Sequence, residues 1–341
     1  MDVTIIGLPR TGKTTLLQAL AGAELSGGGI ATVRVPDERL DKLSKIFEPK
    51  KDVYVEIRAR EAAWPGVGGS RRKSEMEKYI NAIRGSQLFI HVIAAVQTPM
   101  MTDPANPLQD LQKLDDEMIF SDLVAIERIL EQSVRSPLDP NLKKLLERFK
   151  DVLEGDQPLW TQELDERDHA MIAGYNLITL TPQLVVVNTA EDDEGKHGVS
   201  DFGDRLHGRH VASLCFTTAK EVSFLPAEEQ ELFAQELGLD GPAAARVSQE
   251  AFRQLDLISF LTVGADECRA WAIRRGTVAK SAAGVIHTDF EKGFIRAVVV
   301  SYEEFMQRKS LKACREGGVL RLEGKEYVVQ DGDIIEFRFN V

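Results

Sequence analysis

Gly7, Gly12, Lys13 and Thr14 stand in the run GLPRTGKT, with the spacing Gly-x-x-x-x-Gly-Lys-Thr. In that pattern successive backbone N–H groups wrap phosphate oxygens, and a helix N-terminus adds its partial positive charge to the concave anion site. Glycine permits the close backbone approach. Lys13 is expected to reach the β- and γ-phosphates of a nucleotide, and the Thr14 hydroxyl to ligate Mg²⁺ bridging them. Leu8, Pro9, Arg10 and Thr11 complete the loop, while Thr15 packs or caps the helix behind it.

A second candidate element is NTAED, starting at Asn188 directly after the apolar run QLVVV. This places it at the C-terminal end of a strand, where open α/β sheets bind their ligands. It holds the position of the Asn-Lys-x-Asp motif by which GTPases recognise guanine. There an aspartate accepts two hydrogen bonds from the base; here Glu191 takes its place and Thr189 replaces the lysine, so guanine preference should be weakened or lost. Thr217, Thr218, Ala219 and Lys220, after VASLCF, are similar to a Ser-Ala-Lys loop that packs around the base. Each tetrapeptide alone reads more readily as an ordinary loop; following a phosphate loop in this order, they support each other.

No catalytic side chain stands out. His91 lies inside the apolar run LFIHVI and reads as a hydrogen-bonded core residue. His197, His207 and His210 lack metal-ligand spacing, and no Ser-His-Asp arrangement is visible.

The elements that must position these residues follow from periodicity. VTIIGLPRTGKTTLLQALAG reads as strand, glycine turn and helix, and LFIHVIAAV and QLVVVN read as parallel strands covered on both faces. The expectation is an α/β fold: the doubly wound sheet of a P-loop NTPase. Ile119, Leu123, Ile126 and Leu130, then Leu142, Leu146, Phe149 and Leu153, mark two amphipathic helices separated by Pro137 and Pro140, an inserted α-helical hairpin. Lys143, Lys144, Arg148 and Lys150 fall near its surface. GPAAARVSQ reads as a linker. Beyond it WAIRR, FIRAVVVSY, GVLRL, YVVQ and IIEFRF alternate with glycine and aspartate turns and predict a β-rich unit. The expected domains are 1–104 with 181–245 for nucleotide binding, 105–180 for the helical insert and 256–341 for the C-terminal unit.

Among 341 residues, 42 Lys and Arg oppose 54 Asp and Glu, a net charge of -12, so no global field draws the molecule to nucleic acid and any RNA contact needs a local patch. Arg274, Arg275, Lys280, Lys292 and Arg296, near Trp271 and Phe294, are candidates for one. Three scattered cysteines, no basic leader and no long apolar run point to a cytoplasmic protein with no membrane contact.

GLPRTGKTTLLQALAG, VPDERLDKLSKIFEPKK, AAGVIHTDFEKGFIRA and LEGKEYVVQDGDIIEFRFNV resemble the Obg-like ATPases of the YchF subfamily, which are P-loop GTPases related to translation factors. The resemblance covers nearly the whole chain and implies a C-terminal TGS domain of β-grasp form. It further implies binding of ATP at least as well as GTP, with ADP and GDP as product forms, slow hydrolysis, and association with ribosomes or rRNA through the helical and TGS domains. Asn-x-x-Glu, as at Asn188 to Glu191, is the family's own form of the base motif.

Two stretches depart from the family pattern. AELSGGGIATVRVPD is shorter than the family's first switch; Thr32 falls too close to Pro36 to be its γ-phosphate threonine, and Gly27 to Gly29 read as a tight connection. The family's Asp-Ile-Ala-Gly falls on Glu61-Ala62-Ala63-Trp64, so that Glu61 is the remaining candidate for the Mg²⁺ water shell and Trp64 removes glycine's freedom at the γ-phosphate. Pro65 to Gly69 keep flexible glycines, and Arg71 to Lys73 are either anion-neutralising or a solvated switch surface. Binding is therefore expected to outlast catalysis. The competing class is a non-enzymatic scaffold whose helical and TGS units do the work while the nucleotide domain has degenerated.

Overall fold

The computed structural model describes residues 1–22, 29–65, 72–97, 101, 103–194 and 196–340. The expectations for residues 27–28, 66–69 and 71, and for the side chains of Arg72 and Lys73, lie outside the described residues.

The chain opens with β1 (Asp2–Ile6), α1 (Lys13–Ala21) and β2 (Ile30–Arg34). Next come α2 (Glu38–Phe47), β3 (Lys51–Val53), β4 (Glu56–Glu61), α3 (Arg72–Ile83) and β5 (Leu88–Ala94). Three helices follow: α4 (Pro107–Ser133), α5 (Pro140–Glu154) and α6 (Glu166–Ile172). The chain then returns through β6 (Gln183–Asn188), α7 (Val199–Phe202), β7 (Val211–Leu214), α8 (Phe216–Val222), α9 (Ala227–Glu236) and α10 (Ala243–Gln254). The remainder forms β8 (Leu257–Thr262), β9 (Glu267–Arg274), α11 (Ala279–Ile286), α12 (Thr288–Lys292) and β10 (Phe294–Ser301). It ends with α13 (Tyr302–Arg308), α14 (Leu311–Glu316), β11 (Arg321–Glu323) and β12 (Asp333–Phe339).

Two compact units result: Met1–Val33 with Ile57–Gln254, and Arg34–Glu56 with Leu255–Val341. In the first, the strand order is β2-β4-β1-β5-β6-β7, and β4, β1, β5, β6 and β7 run parallel. Every residue of β5 and β6 is buried, as parallel strands covered on both faces require. The register pairs Ile5 with Glu61, Ile6 with His91, Ala94 with Asn188 and Asn188 with Leu214. The C-terminal ends of the parallel strands thus gather the candidate residues. β1 is the switch point, because the chain builds outward from it in both directions.

The hairpin forms as its periodicity predicts. Ile119, Ile126, Leu145, Leu146, Phe149 and Leu153 make one core, with Leu123, Leu130 and Leu142 at its margin. Asn106 and Asp139 cap its two helices, each followed by proline at the first helical position, where a missing N–H costs nothing. The hairpin cations hold surface pairs, Lys143 with Glu147, Arg148 with Asp168 and Lys150 with Glu127. GPAAARVSQ is not a linker: from Ala243 it is the first part of α10, which packs Val247, Ser248 and Ala251 in the same unit. Alanine's helix propensity overrides the Gly-Pro opening.

The second unit has a mixed sheet, β11-β10-β12-β8-β9-β3, with apolar packing on both faces. Residues 34–56 belong here, whereas the sequence places them within a continuous 1–104 domain. β3 pairs in parallel with β9, Leu40 and Leu43 pack against Phe305, and Arg39 joins Asp37 and Asp331. YVVQ is not a strand either. Val328 makes only an isolated bridge to Val278, and the Tyr327 hydroxyl instead donates to Asp333 at 2.7 Å.

Candidate functional site

The turn from β1 to α1 has the backbone that GLPRTGKT demands. Gly7 lies at φ 149° and Gly12 at φ 102°, and a Cβ at Gly7 would stand 2.4 Å from the Val92 carbonyl oxygen. At Gly12 a Cβ would stand 2.7 Å from Asn188 Nδ2 and 2.8 Å from the Phe216 ring. Both positions exclude larger residues by contact as well as by conformation. Gly12 opens α1 with no side-chain cap and no acid in its first turn, so the first N–H groups stay available to an anion.

Lys13 is buried, and its Nζ donates to the Leu8 carbonyl at 2.8 Å, folding across the loop. Thr11 Oγ1 donates to the same oxygen at 3.0 Å. Burial lowers the Lys13 pKa to about 8, a shift that the Glu61 carboxylate partly opposes. The ammonium therefore sits in a site that favours further negative charge.

Thr14 is exposed, and its hydroxyl donates to Glu61 Oε2 at 2.7 Å. The two oxygens converge where the β4 end meets α1. Both are hard donors suited to Mg²⁺, which is commonly held by one or two carboxylates and the phosphates of a substrate. Among the described residues no cluster of three or more His, Cys, Asp or Glu could replace that arrangement. Three residues on, Trp64 packs edge-on against Tyr79, ring centroids 5.1 Å apart, within a cluster that includes Ile6, Ala62 and Ile80. The tryptophan is thus fixed by apolar packing. On its side of the loop a groove of about 2140 Å³ opens, bordered by Pro9, Arg10, Trp64, Met76 and Phe120.

On the other side of the loop, Asn188 is buried and donates through Nδ2 to the Thr11 carbonyl at 3.1 Å. Its Oδ1 accepts from the Phe216 N–H at 3.4 Å. Asn188 therefore ties together the phosphate loop, the end of β6 and the start of α8. Glu191 is exposed in a tight helical turn with Asp192 and Asp193. Thr218, Ala219 and Lys220 stand in α8 rather than on a loop, with Ala219 buried and the Thr218 hydroxyl turned to Cys215 Sγ at 3.3 Å. Phe216, whose ring closes on Gly12, is a site residue that no sequence motif marks. His91 is a core residue: its Nδ1 faces Gln183 Oε1 at 3.3 Å, and burial lowers its pKa to about 3.

This geometry can be set beside known proteins. The chain is 32% identical to the ribosome-binding ATPase YchF of Bacillus subtilis, over 99% of this chain and 98% of that protein. It is 34% identical to the protein of the same name from Mycoplasma genitalium, over the whole of both. The chain belongs to the YchF family. Residues 257–340 match the family described as YchF-GTPase_C, a protein of unknown function (DUF933). The solved YchF GTPase of Schizosaccharomyces pombe matches at a TM-score of 0.85 and 25% identity, covering 99% of this chain and 97% of that one. The α/β fold with a distinct C-terminal unit is that of a YchF protein. Thr32 is a residue of β2, Glu61 ends β4, and Trp64 follows three residues later.

Proposed function

We propose that this chain binds a purine nucleoside triphosphate on Gly7 to Thr14, taking ATP with relaxed base choice, and works with the ribosome. One observation carries the reading: α1 opens at Gly12 without a side-chain cap or a first-turn acid, and the buried Lys13 folds its ammonium onto the loop at the Leu8 carbonyl. Leu8, Arg10 and Thr11 offer backbone N–H groups to the α- and β-phosphates, with Pro9 shaping the turn between them, Lys13 serves the β- and γ-phosphates, and Thr15 supports the helix. Thr14 would hold Mg²⁺, with Glu61 accepting from its water shell, and the ion would supply charge neutralisation to the phosphates. Asn188, Glu191, Thr218, Ala219 and Lys220 border the base. An exposed glutamate with no adjacent lysine supports weak discrimination between adenine and guanine.

Turnover is slow in this reading, because positioning and charge at the γ-phosphate depend on the switches and Trp64 fills the place of a glycine. The names of the relatives support the ribosome as partner, contacted through the hairpin and a TGS-type C-terminal unit, and with it a cytoplasmic setting.

Calorimetric titration of ATP, GTP, ADP and GDP, with and without Mg²⁺, tests the site on the intact chain and on Lys13→Ala. The intact chain is expected to bind ATP and GTP within about tenfold of each other, and Lys13→Ala to weaken both triphosphates by about tenfold or more. Failure of every nucleotide to bind the intact chain refutes the reading and leaves the scaffold. Pelleting with ribosomes at low and high salt tests the partner: association should fall as salt rises.

A further inference from the structure

The turn that follows β6 is held by more than its own backbone. Glu194 uses both carboxylate oxygens: Oε2 accepts from the Cys215 N–H at 3.1 Å, and Oε1 accepts from Arg246 Nη1 at 2.6 Å. Arg246 donates again, through Nη2, to the Ser213 carbonyl at 2.8 Å. The side chains of Arg246 and Glu194 are 15% and 8% exposed. An exposed ion pair contributes little, but a shielded pair with charge-assisted bonds on both members leaves a stranded charge when one partner is lost.

What this pair holds is the rim on which a base must rest. Cys215 directly precedes Phe216, whose N–H reaches Asn188, and Asn188 in turn bonds the phosphate loop at Thr11. The turns after β6 and β7 are therefore joined twice, through Asn188 close to the loop and through Glu194 further out. Arg246 comes from α10, which packs on β6 and β7 and provides a rigid base for the outer tie.

We propose that Arg246 and Glu194 are a positioning pair for the purine: they fix the gap between the β6 and β7 turns and so govern base affinity and base choice without touching the nucleotide. The inference rests on the nucleotide reading above. The phosphates are cradled by α1 and its loop, which the pair does not touch, so its loss should separate base binding from phosphate binding.

The test titrates ATP, GTP and inorganic tripolyphosphate into the intact chain and into Arg246→Ala, Arg246→Lys, Glu194→Gln and the Arg246→Ala/Glu194→Gln double variant. Tripolyphosphate reads the cradle alone. Arg246→Ala and Glu194→Gln should weaken ATP about tenfold or more and change the ratio of ATP to GTP affinity, with tripolyphosphate held within about twofold. Arg246→Lys, which keeps the charge and one donor, should fall between. The double variant should be no weaker than the worse single one, as expected of residues acting as one unit. Thermal melts report folding, and if Arg246→Ala does not fold, Glu194→Gln carries the test because it keeps an acceptor for Cys215.

Unchanged nucleotide affinities and ratio in the variants overturn the pair's role while nucleotide binding stands. Equal losses for tripolyphosphate and nucleotides also overturn it, since the pair then only supports the fold. If the intact chain binds no nucleotide, the reading of the site fails and takes the pair's role with it.

Discussion

Lys13 has a protonation state close to its working point. In the free protein burial lowers its pKa to about 8, and a bound triphosphate would raise it by placing anionic oxygens where the Leu8 carbonyl now accepts. A group whose pKa rises on binding takes up a proton wherever the free form has lost it. Affinity for ATP should therefore be nearly constant from pH 6 to 7 and weaken above about pH 8, by at most about tenfold per pH unit. Calorimetry in buffers of different ionisation enthalpy should show proton uptake approaching one at pH 9 and near zero at pH 7. No uptake at either pH would mean that the ammonium does not meet the phosphates. Of the residues in the site, those in the phosphate loop were legible from sequence because their chemistry is backbone chemistry, written in local glycine spacing. Phe216 and Arg246 were not, because each acts through contacts with residues at least 28 positions away.

At the scale of elements, the parallel strands are the firmest reading and also hold a pH-sensitive group. His91 on β5 is neutral in the fold: burial is the largest cause of its lowered pKa of about 3, with Arg209 and Lys13 adding to it and the Gln183 contact opposing it. The unfolded chain takes up this proton near pH 6.5 and the folded chain only near 3, so the stabilisation is complete above pH 6.5 and is lost as pH falls through that window. Urea unfolding between pH 7 and 4 should show His91→Gln losing stability less steeply than the intact chain, by up to about 1.4 kcal/mol per pH unit. Equal slopes would mean that His91 binds its proton alike in the folded and unfolded chain. The strands around His91 were readable as unbroken apolar runs, and the hairpin as two 3.6-residue stripes. YVVQ misled because its short apolar run closes a turn, and α10 was hidden by a Gly-Pro opening that resembles a linker.

At the scale of the molecule, sequence order and spatial order part company at residues 34–56. VPDERLDKLSKIFEPKK lies between two strands of the first sheet in sequence, yet β3 and α2 complete the second unit. No local pattern announces a parallel pairing between Lys51 and Glu267, which lie far apart along the chain. With a net charge of -12 the proposed ribosome contact would need local patches, and Arg274, Arg275, Lys280, Lys292 and Arg296 are all exposed on the second unit.

Nucleotide binding of the proposed kind needs a working cation end beside the phosphate cradle. The sequence alone leaves Glu61 as a candidate for the Mg²⁺ water shell, and in the structure the Thr14 hydroxyl donates to it at 2.7 Å. The direct measurement is ATP affinity as a function of Mg²⁺ concentration, in the intact chain and in Glu61→Ala. Mg²⁺ should tighten ATP about tenfold or more in the intact chain, and Glu61→Ala should lose most of this gain while its Mg²⁺-free affinity does not fall. An equal Mg²⁺ gain in both proteins, or none in the intact chain, would contradict this.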